Sequence, residues 1–238
     1  MANDVAVKAS GLTKTYGEGE TEVHALIDVS FEIPRGEFVV LQGTSGSGKT
    51  TLLNQLGALE APTSGEVESN GYHLNGLDDD GRTGYRLHSV GFVFQFYNLV
   101  PSLTAYENVA LIAELTGDDV KDRTEAMLDA VGLADRMNHF PGQMSGGEQQ
   151  RVSIARGLVK NPPLMLCDEP TGALDTETGI QVLDLLREIT DGGDRTIVVV
   201  THNSQISQIA NRVIDLKDGA VTDMHINETP LNPQDVAW

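Results

Sequence analysis

Gly43-Thr44-Ser45-Gly46-Ser47-Gly48-Lys49-Thr50 is the stretch of this chain best suited to do chemistry. Glycines at this spacing let successive backbone N–H groups curl around a β-phosphate, and a following helix adds the partial positive charge of its N-terminus. Lys49 is placed to reach the β- and γ-phosphates, and the Thr50 hydroxyl to ligate Mg²⁺. The apolar run Phe38-Val39-Val40-Leu41 before the loop and Thr51-Leu52-Leu53-Asn54-Gln55-Leu56 after it supply a strand–loop–helix setting. That setting separates a phosphate loop from a flexible glycine turn. A nucleoside-triphosphate site is the expectation.

Leu164-Met165-Leu166-Cys167 runs into two adjacent carboxylates, Asp168 and Glu169. Burying two acids at a strand end is costly unless a cation is near, and a metal-bound nucleotide supplies one. Asp168 suits the surroundings of the metal, while Glu169 suits a general base for the attacking water, a role worth about 10²–10⁴-fold. Capping the next helix is the alternative for this pair. Ser145-Gly146-Gly147-Glu148 reads as a capping box, with Ser145 as N-cap of a helix running to about residue 161, ahead of Pro162-Pro163. Its glycines are poor helix formers unless a ligand must approach the backbone, and a capped N-terminus with bare amides is an anion site. Capping and phosphate contact are compatible.

These groups need a scaffold. Residues 5–13, 23–33 and 37–42 are rich in β-formers, and Asn70-Gly71 marks a hairpin turn, so an antiparallel β layer is expected early in the chain. Four short apolar runs, leading to Gln42, Gln95, Asp168 and Thr201, are continuous rather than alternating. They fit strands of a parallel sheet covered on both faces, whose ligands gather at the carboxyl ends. Residues 106–115 and 120–131 turn helical and read as an insertion into the sheet domain. Asp78-Asp79-Asp80-Gly81 is expected to be a surface loop, and the tail from Glu228, with Pro230 and Pro233, a loosely held extension.

The 238 residues suffice for a single domain with a full core. A net charge of -19 opposes nucleic-acid binding and direct adsorption on anionic lipid, and reads as a solvated acidic surface. No apolar run approaches the roughly 20 residues of a membrane helix. Met1-Ala2-Asn3-Asp4 opens without the features of a secretory leader, so no direct membrane insertion is expected. The single cysteine, Cys167, excludes an internal disulfide and suits a reducing compartment.

Taken together, these elements resemble the nucleotide-binding subunits of ATP-binding cassette (ABC) transporters, over about residues 5–225 and in unbroken motif order. The resemblance implies that Tyr16, in Lys14-Thr15-Tyr16-Gly17, stacks on adenine, and that Gly43, Thr44, Ser45, Gly46, Ser47, Gly48, Lys49, Thr50 and Thr51 hold ATP. Gln95, in Phe94-Gln95-Phe96-Tyr97-Asn98-Leu99, matches the Q-loop glutamine. Ser145, Gly146, Gly147 and Glu148 match the signature that a second copy contributes in trans. Asp168 and Glu169 match the Walker B pair, Asp175 the D-loop residue that links the two halves, and His202 the switch histidine. The catalytic set is then Glu169, His202 and Gln95, with Thr50, Gln95 and Asp168 around Mg²⁺. Met144 and Cys167 depart from the commoner family residues without touching a phosphate role.

The implied fold is α/β: a P-loop NTPase (RecA-like) core with an antiparallel β subdomain and an inserted α-helical subdomain. One ABC ATPase domain would fill residues 1–238, with 1–94 and 162–225 in the β subdomain and core, 95–161 in the helical subdomain, and 226–238 as a C-terminal extension. The implied function is ATP hydrolysis that drives an integral membrane permease through closure and reopening of a head-to-tail homodimer. The chain would be cytoplasmic, held at the cytoplasmic face of the cell membrane by that permease. Phe94-Gln95-Phe96-Tyr97-Asn98-Leu99-Val100-Pro101, Thr171-Gly172-Ala173-Leu174-Asp175 and Thr201-His202-Asn203 resemble the macrolide-exporter and lipoprotein-releasing branch, hence export or mechanotransmission. Phe96, Tyr97 and Leu99 are expected either to receive a permease helix or to form a local core. An importer ATPase served by a solute-binding protein is the main alternative. A soluble ABC ATPase acting on DNA or ribosomes is opposed by the acidic balance and the absence of a coiled-coil insertion.

Overall fold

Two sheets carry the molecule. In the smaller, β1 (Val5–Tyr16), β2 (Val23–Pro34), β4 (Ser64–Ser69) and β5 (Tyr72–His73) lie in the antiparallel order β2-β1-β4-β5. Asn70 and Gly71 close its hairpin in two residues, both at positive φ (49° and 82°), as the Asn-Gly pair predicts. The larger sheet joins β3 (Phe38–Gln42), β6 (Val90–Val93), β7 (Leu164–Asp168), β8 (Thr196–Thr201), β9 (Arg212–Lys217) and β10 (Ala220–Ile226) in the order β10-β9-β3-β8-β7-β6. All neighbours are parallel except β10, which pairs antiparallel with β9 at the edge. The computed structural model describes residues 5–193 and 195–237; Met1 to Asp4 and Trp238, which the readings of a leader and of a C-terminal extension touched, lie outside the described residues.

The central strands are continuous apolar runs because both of their faces are covered. Phe38, Val40, Met165, Cys167, Ile197 and Val199 pack into one core with α3 (Ala105–Glu114), α4 (Val120–Ala130), α5 (Gly146–Leu158) and α6 (Thr176–Asp191). Val39, Leu41, Leu164, Leu166, Val198 and Val200 face the other way, into a core shared with α1 (Lys49–Leu56) and the antiparallel layer. A period of two thus divides one sheet between two cores. The strands β9 and β10, by contrast, interleave polar residues, and β10 is mostly exposed, so their sequence carried no comparable signal.

Two expectations are corrected. Asp78-Asp79-Asp80-Gly81 is not a loop but the start of α2 (Asp79–His88): Asp78 is the N-cap, its carboxylate accepting from the Gly81 N–H at 2.8 Å. Asp79 and Asp80 lie in the first turn, where acidic side chains complement the helix dipole. The tail is not loosely held either. Asn227 Nδ2 donates to the Ser207 and Ala210 carbonyls, each at 2.8 Å, Gln234 Nε2 to Asp184 at 2.9 Å, and Val236 is buried in the helical-side core. Pro230 and Pro233 deny the tail two backbone donors, but they do not exclude a short helical turn or packing.

Candidate active site

At the carboxyl end of β3 the chain turns sharply into α1, whose N-cap, Gly48, sits at φ 100° without any side-chain cap. A β-carbon there would stand 2.4 Å from the Ala25 carbonyl oxygen, so only glycine satisfies both the dihedral and the packing. The loop lines a cleft of about 780 Å³ together with Lys49, Thr50, Thr51, Gln95, Asp168, Glu169 and His202. Residues far apart in sequence converge because each follows a strand of the parallel sheet, β3, β6, β7 or β8.

Lys49 is nearly buried, and its ammonium donates to the Gly43 and Thr44 carbonyls at 2.8 and 2.9 Å. Burial pulls its pKa below the ordinary value, against the opposing pull of Glu169 and Asp168. Across the cleft, burial and then the charge of Glu169 push the Asp168 carboxyl above its usual range. Thr50 Oγ1 lies 3.4 Å from both Asp168 oxygens. Two carboxylates therefore face one lysine that is already engaged by loop carbonyls. Thr50 hydroxyl, Asp168 carboxylate and Gln95 amide form an all-oxygen donor set of the kind Mg²⁺ prefers, so the residues present fit that ion.

Glu169 adopts φ 47°, a conformation rare outside glycine, and its backbone N–H donates to the Val200 carbonyl at 2.9 Å. Its carboxylate meets His202 Nδ1 at 2.7 Å and accepts from Thr201 Oγ1 at 3.3 Å. The imidazole is thereby oriented with its Nε2 free for another partner.

Other expected residues lie elsewhere. Tyr16 is not among the described residues lining the cleft: its phenol donates to Glu60 at 2.5 Å, and Lys14 Nζ stands 5.0 Å from its ring centre. Val23, His24 and Ala25 of β2 line the cleft instead, and His24 is held by Thr15 Oγ1 at 3.1 Å and Glu22 at 3.3 Å. Nothing in the sequence singled out His24; its place follows from the pairing of β1 with β2. Ser145, Gly146, Gly147 and Glu148 also lie outside the cleft. Ser145 and Glu148 form the expected capping box on α5, with Arg136 3.3 Å from the Glu148 carboxylate. The Ser145 N–H bond first of all holds the Glu148 carboxyl below its usual range. Asp175 caps α6, accepting from the Thr178 N–H at 3.0 Å and its hydroxyl at 2.7 Å. Of the expected permease contacts, Phe96 is 74% exposed, whereas Leu99 packs on the core and Tyr97 is half-buried.

Comparison with known proteins places this geometry. The sequence profile described as "ABC transporter" matches residues 26–172. An uncharacterized ABC transporter ATP-binding protein of Methanocaldococcus jannaschii, MJ0796, is 46% identical over 222 residues, covering 90% of this chain and 94% of that protein. The macrolide export ATP-binding/permease protein MacB of Hyphomonas neptunium is 44% identical over 218 residues; the match covers 90% of this chain but 34% of that protein. Among solved structures, the dimeric post-hydrolysis state of the cassette MJ0796, bound to ADP and Pi, superposes with a TM-score of 0.85 at 44% identity. That match covers 92% of this chain and 98% of the other.

Proposed function

Since the chain belongs to the ABC transporter family and is an ATPase, we propose that it is the subunit that powers a membrane permease by closing and reopening as a head-to-tail homodimer. The observation that carries this reading is the incomplete cleft. It gathers Lys49, Thr50, Gln95, Asp168, Glu169 and His202, yet none of Ser145, Gly146, Gly147 or Glu148. A second copy, turned head to tail, would bring that capped helix N-terminus to the γ-phosphate, with its amides directed at the anion. Asp175 would sit near the junction of the copies.

In this reading the phosphates of ATP replace the Gly43 and Thr44 carbonyls on the Lys49 ammonium. Thr50, Gln95 and Asp168 would hold Mg²⁺, which when bound offsets charge on the phosphate oxygens. Glu169, oriented by His202 and Thr201, accepts the proton of the attacking water. His202 turns its Nε2 to the γ-phosphate. Tyr16 would offer its ring to adenine from the rim of the cleft. Loss of the γ-phosphate removes the bridge between the copies, and closure becomes opening.

Among the described residues no helix is long and apolar enough to cross a membrane, and in this reading the permease supplies the membrane attachment. A groove of about 310 Å³ bounded by Phe92, Phe94, Leu111, Ile112 and Lys160, with Phe96 exposed near it, suits a helix of the permease. The likeness to MacB, whose name joins ATP-binding and permease functions, favours export or mechanotransmission at the cytoplasmic face. The test is a tagged Glu169→Gln chain captured with ATP from detergent-solubilised membranes. The expected result is an ATP-dependent dimer carrying a few-pass protein with a large extracytoplasmic domain. A many-pass permease with a solute-binding protein would make it an importer, and a lone soluble chain would refute the permease.

A further inference from the structure

Gly146, Gly147 and Gly172 are among the glycines outside the nucleotide loop that leave no room for a β-carbon. One on Gly147 would stand 2.1 Å from Thr178 Cγ2, one on Gly146 2.8 Å from the Tyr97 hydroxyl, and one on Gly172 2.9 Å from Gln95 Nε2. The segment after β6, the start of α5 and the approach to α6 are thus in close contact within one chain. Tyr97 is the member whose backbone is held in place. Both it and Asn98 sit in the left-handed region, at φ 59° and 50°, which non-glycine residues adopt only when their surroundings impose it. Arg156 imposes it here: Nη1 donates to the Asn98 carbonyl at 2.6 Å and Nη2 to the Tyr97 carbonyl at 2.7 Å. Arg156 and Gly146 belong to the same helix, so α5 grips Tyr97 by its backbone and bears on its hydroxyl.

We propose that Tyr97 is a positioning residue for ATP hydrolysis, the strut that makes the Gln95 segment and the Ser145-Gly146-Gly147 edge move as one piece. A nucleotide sensed at Gln95 in one cleft is thereby felt at the edge offered to the opposite cleft. Substrate contacts belong to Gln95 and the edge; Tyr97 acts through them. This rests on the head-to-tail dimer reading, whose own failure would look different: the Glu169→Gln chain would not dimerise with ATP.

A double-mutant cycle on the full chain tests the strut. Gly146→Ala should drive a methyl into the Tyr97 hydroxyl, and Tyr97→Phe should take away the atom it strikes. The expected outcome is that Gly146→Ala lowers kcat at least ~10-fold with KM for ATP within ~2-fold, and Tyr97→Phe alone lowers kcat ~2-fold. The double variant should recover to within ~3-fold of Tyr97→Phe, with all melting temperatures near that of the parent. Single effects that simply multiply, a loss confined to KM, or a loss that follows melting temperature would each overturn the proposal.

Discussion

The two glycine-rich segments, 43–48 and 145–147, both open a helix, yet they are glycine-rich for different physical reasons. In the first, Gly43, Gly46 and Gly48 have φ of 158°, 80° and 100°, and Gly48 replaces a side-chain cap altogether. The chain's path there is itself the binding element, so its requirement is local. In the second, Ser145 supplies an ordinary capping box and neither Gly146 nor Gly147 has positive φ. Those glycines are required by what packs against them, Tyr97, Leu174 and Thr178. Glycine at a helix start can thus record either a backbone conformation or a tertiary contact.

Breaking the first segment should cost the most. Gly48→Ala combines a forbidden dihedral with a clash on the Ala25 carbonyl, a backbone atom that no side-chain trimming can relieve. Nucleotide binding should disappear by calorimetry, with stability reduced by about 1–3 kcal/mol. The second segment should break reversibly. Gly147→Ala sets its methyl against Thr178 Cγ2, and Thr178→Ser removes that methyl while keeping the hydroxyl bonded to Asp175. Gly147→Ala should lower stability by about 1–3 kcal/mol in chemical denaturation, and Thr178→Ser should restore most of it. If the same trimming rescued neither variant, or if Gly48→Ala bound ATP normally, the contrast would collapse.

Electrostatics gives a smaller and sharper version of the contrast. Asp168 is held above its ordinary value of 3.8, so its folded form binds a proton more readily than the unfolded chain. Its contribution to stability declines as pH rises from that value through the folded pKa, and is unfavourable at neutral pH. Glu148, held below 4.5, contributes stability above that value and loses it as pH falls through the folded pKa. Asp168→Asn should therefore raise the melting temperature at pH 7 by about 1–3 °C while abolishing turnover. Glu148→Gln should lower the melting temperature at neutral pH, with the difference fading in acid. A lower melting temperature for Asp168→Asn would mean that its carboxylate is better solvated than its burial implies.

Several elements were legible because their cause is local. The loop 43–50, the Asn70-Gly71 hairpin, the apolar strands and the capping box at Ser145 all obey rules with a range of a few residues. Asp78 to Gly81 misled because acidic residues suit both a solvated loop and a helix N-terminus, and only the continuation into α2 separates the two. The mixed strand β9 and the exposed edge strand β10 gave no periodic signal, and His24 enters the cleft only through the pairing of β1 with β2.

The sequence by itself determined the phosphate loop, four of the parallel strands and the order of groups at their ends, because backbone conformation and side-chain period are written locally. Tertiary structure alone decided which glycines are sterically required, which carboxylate is lifted and which is held low, and that the proline-containing tail packs against α6. Those outcomes depend on segments brought together from distant parts of the chain, and no window of sequence contains both partners.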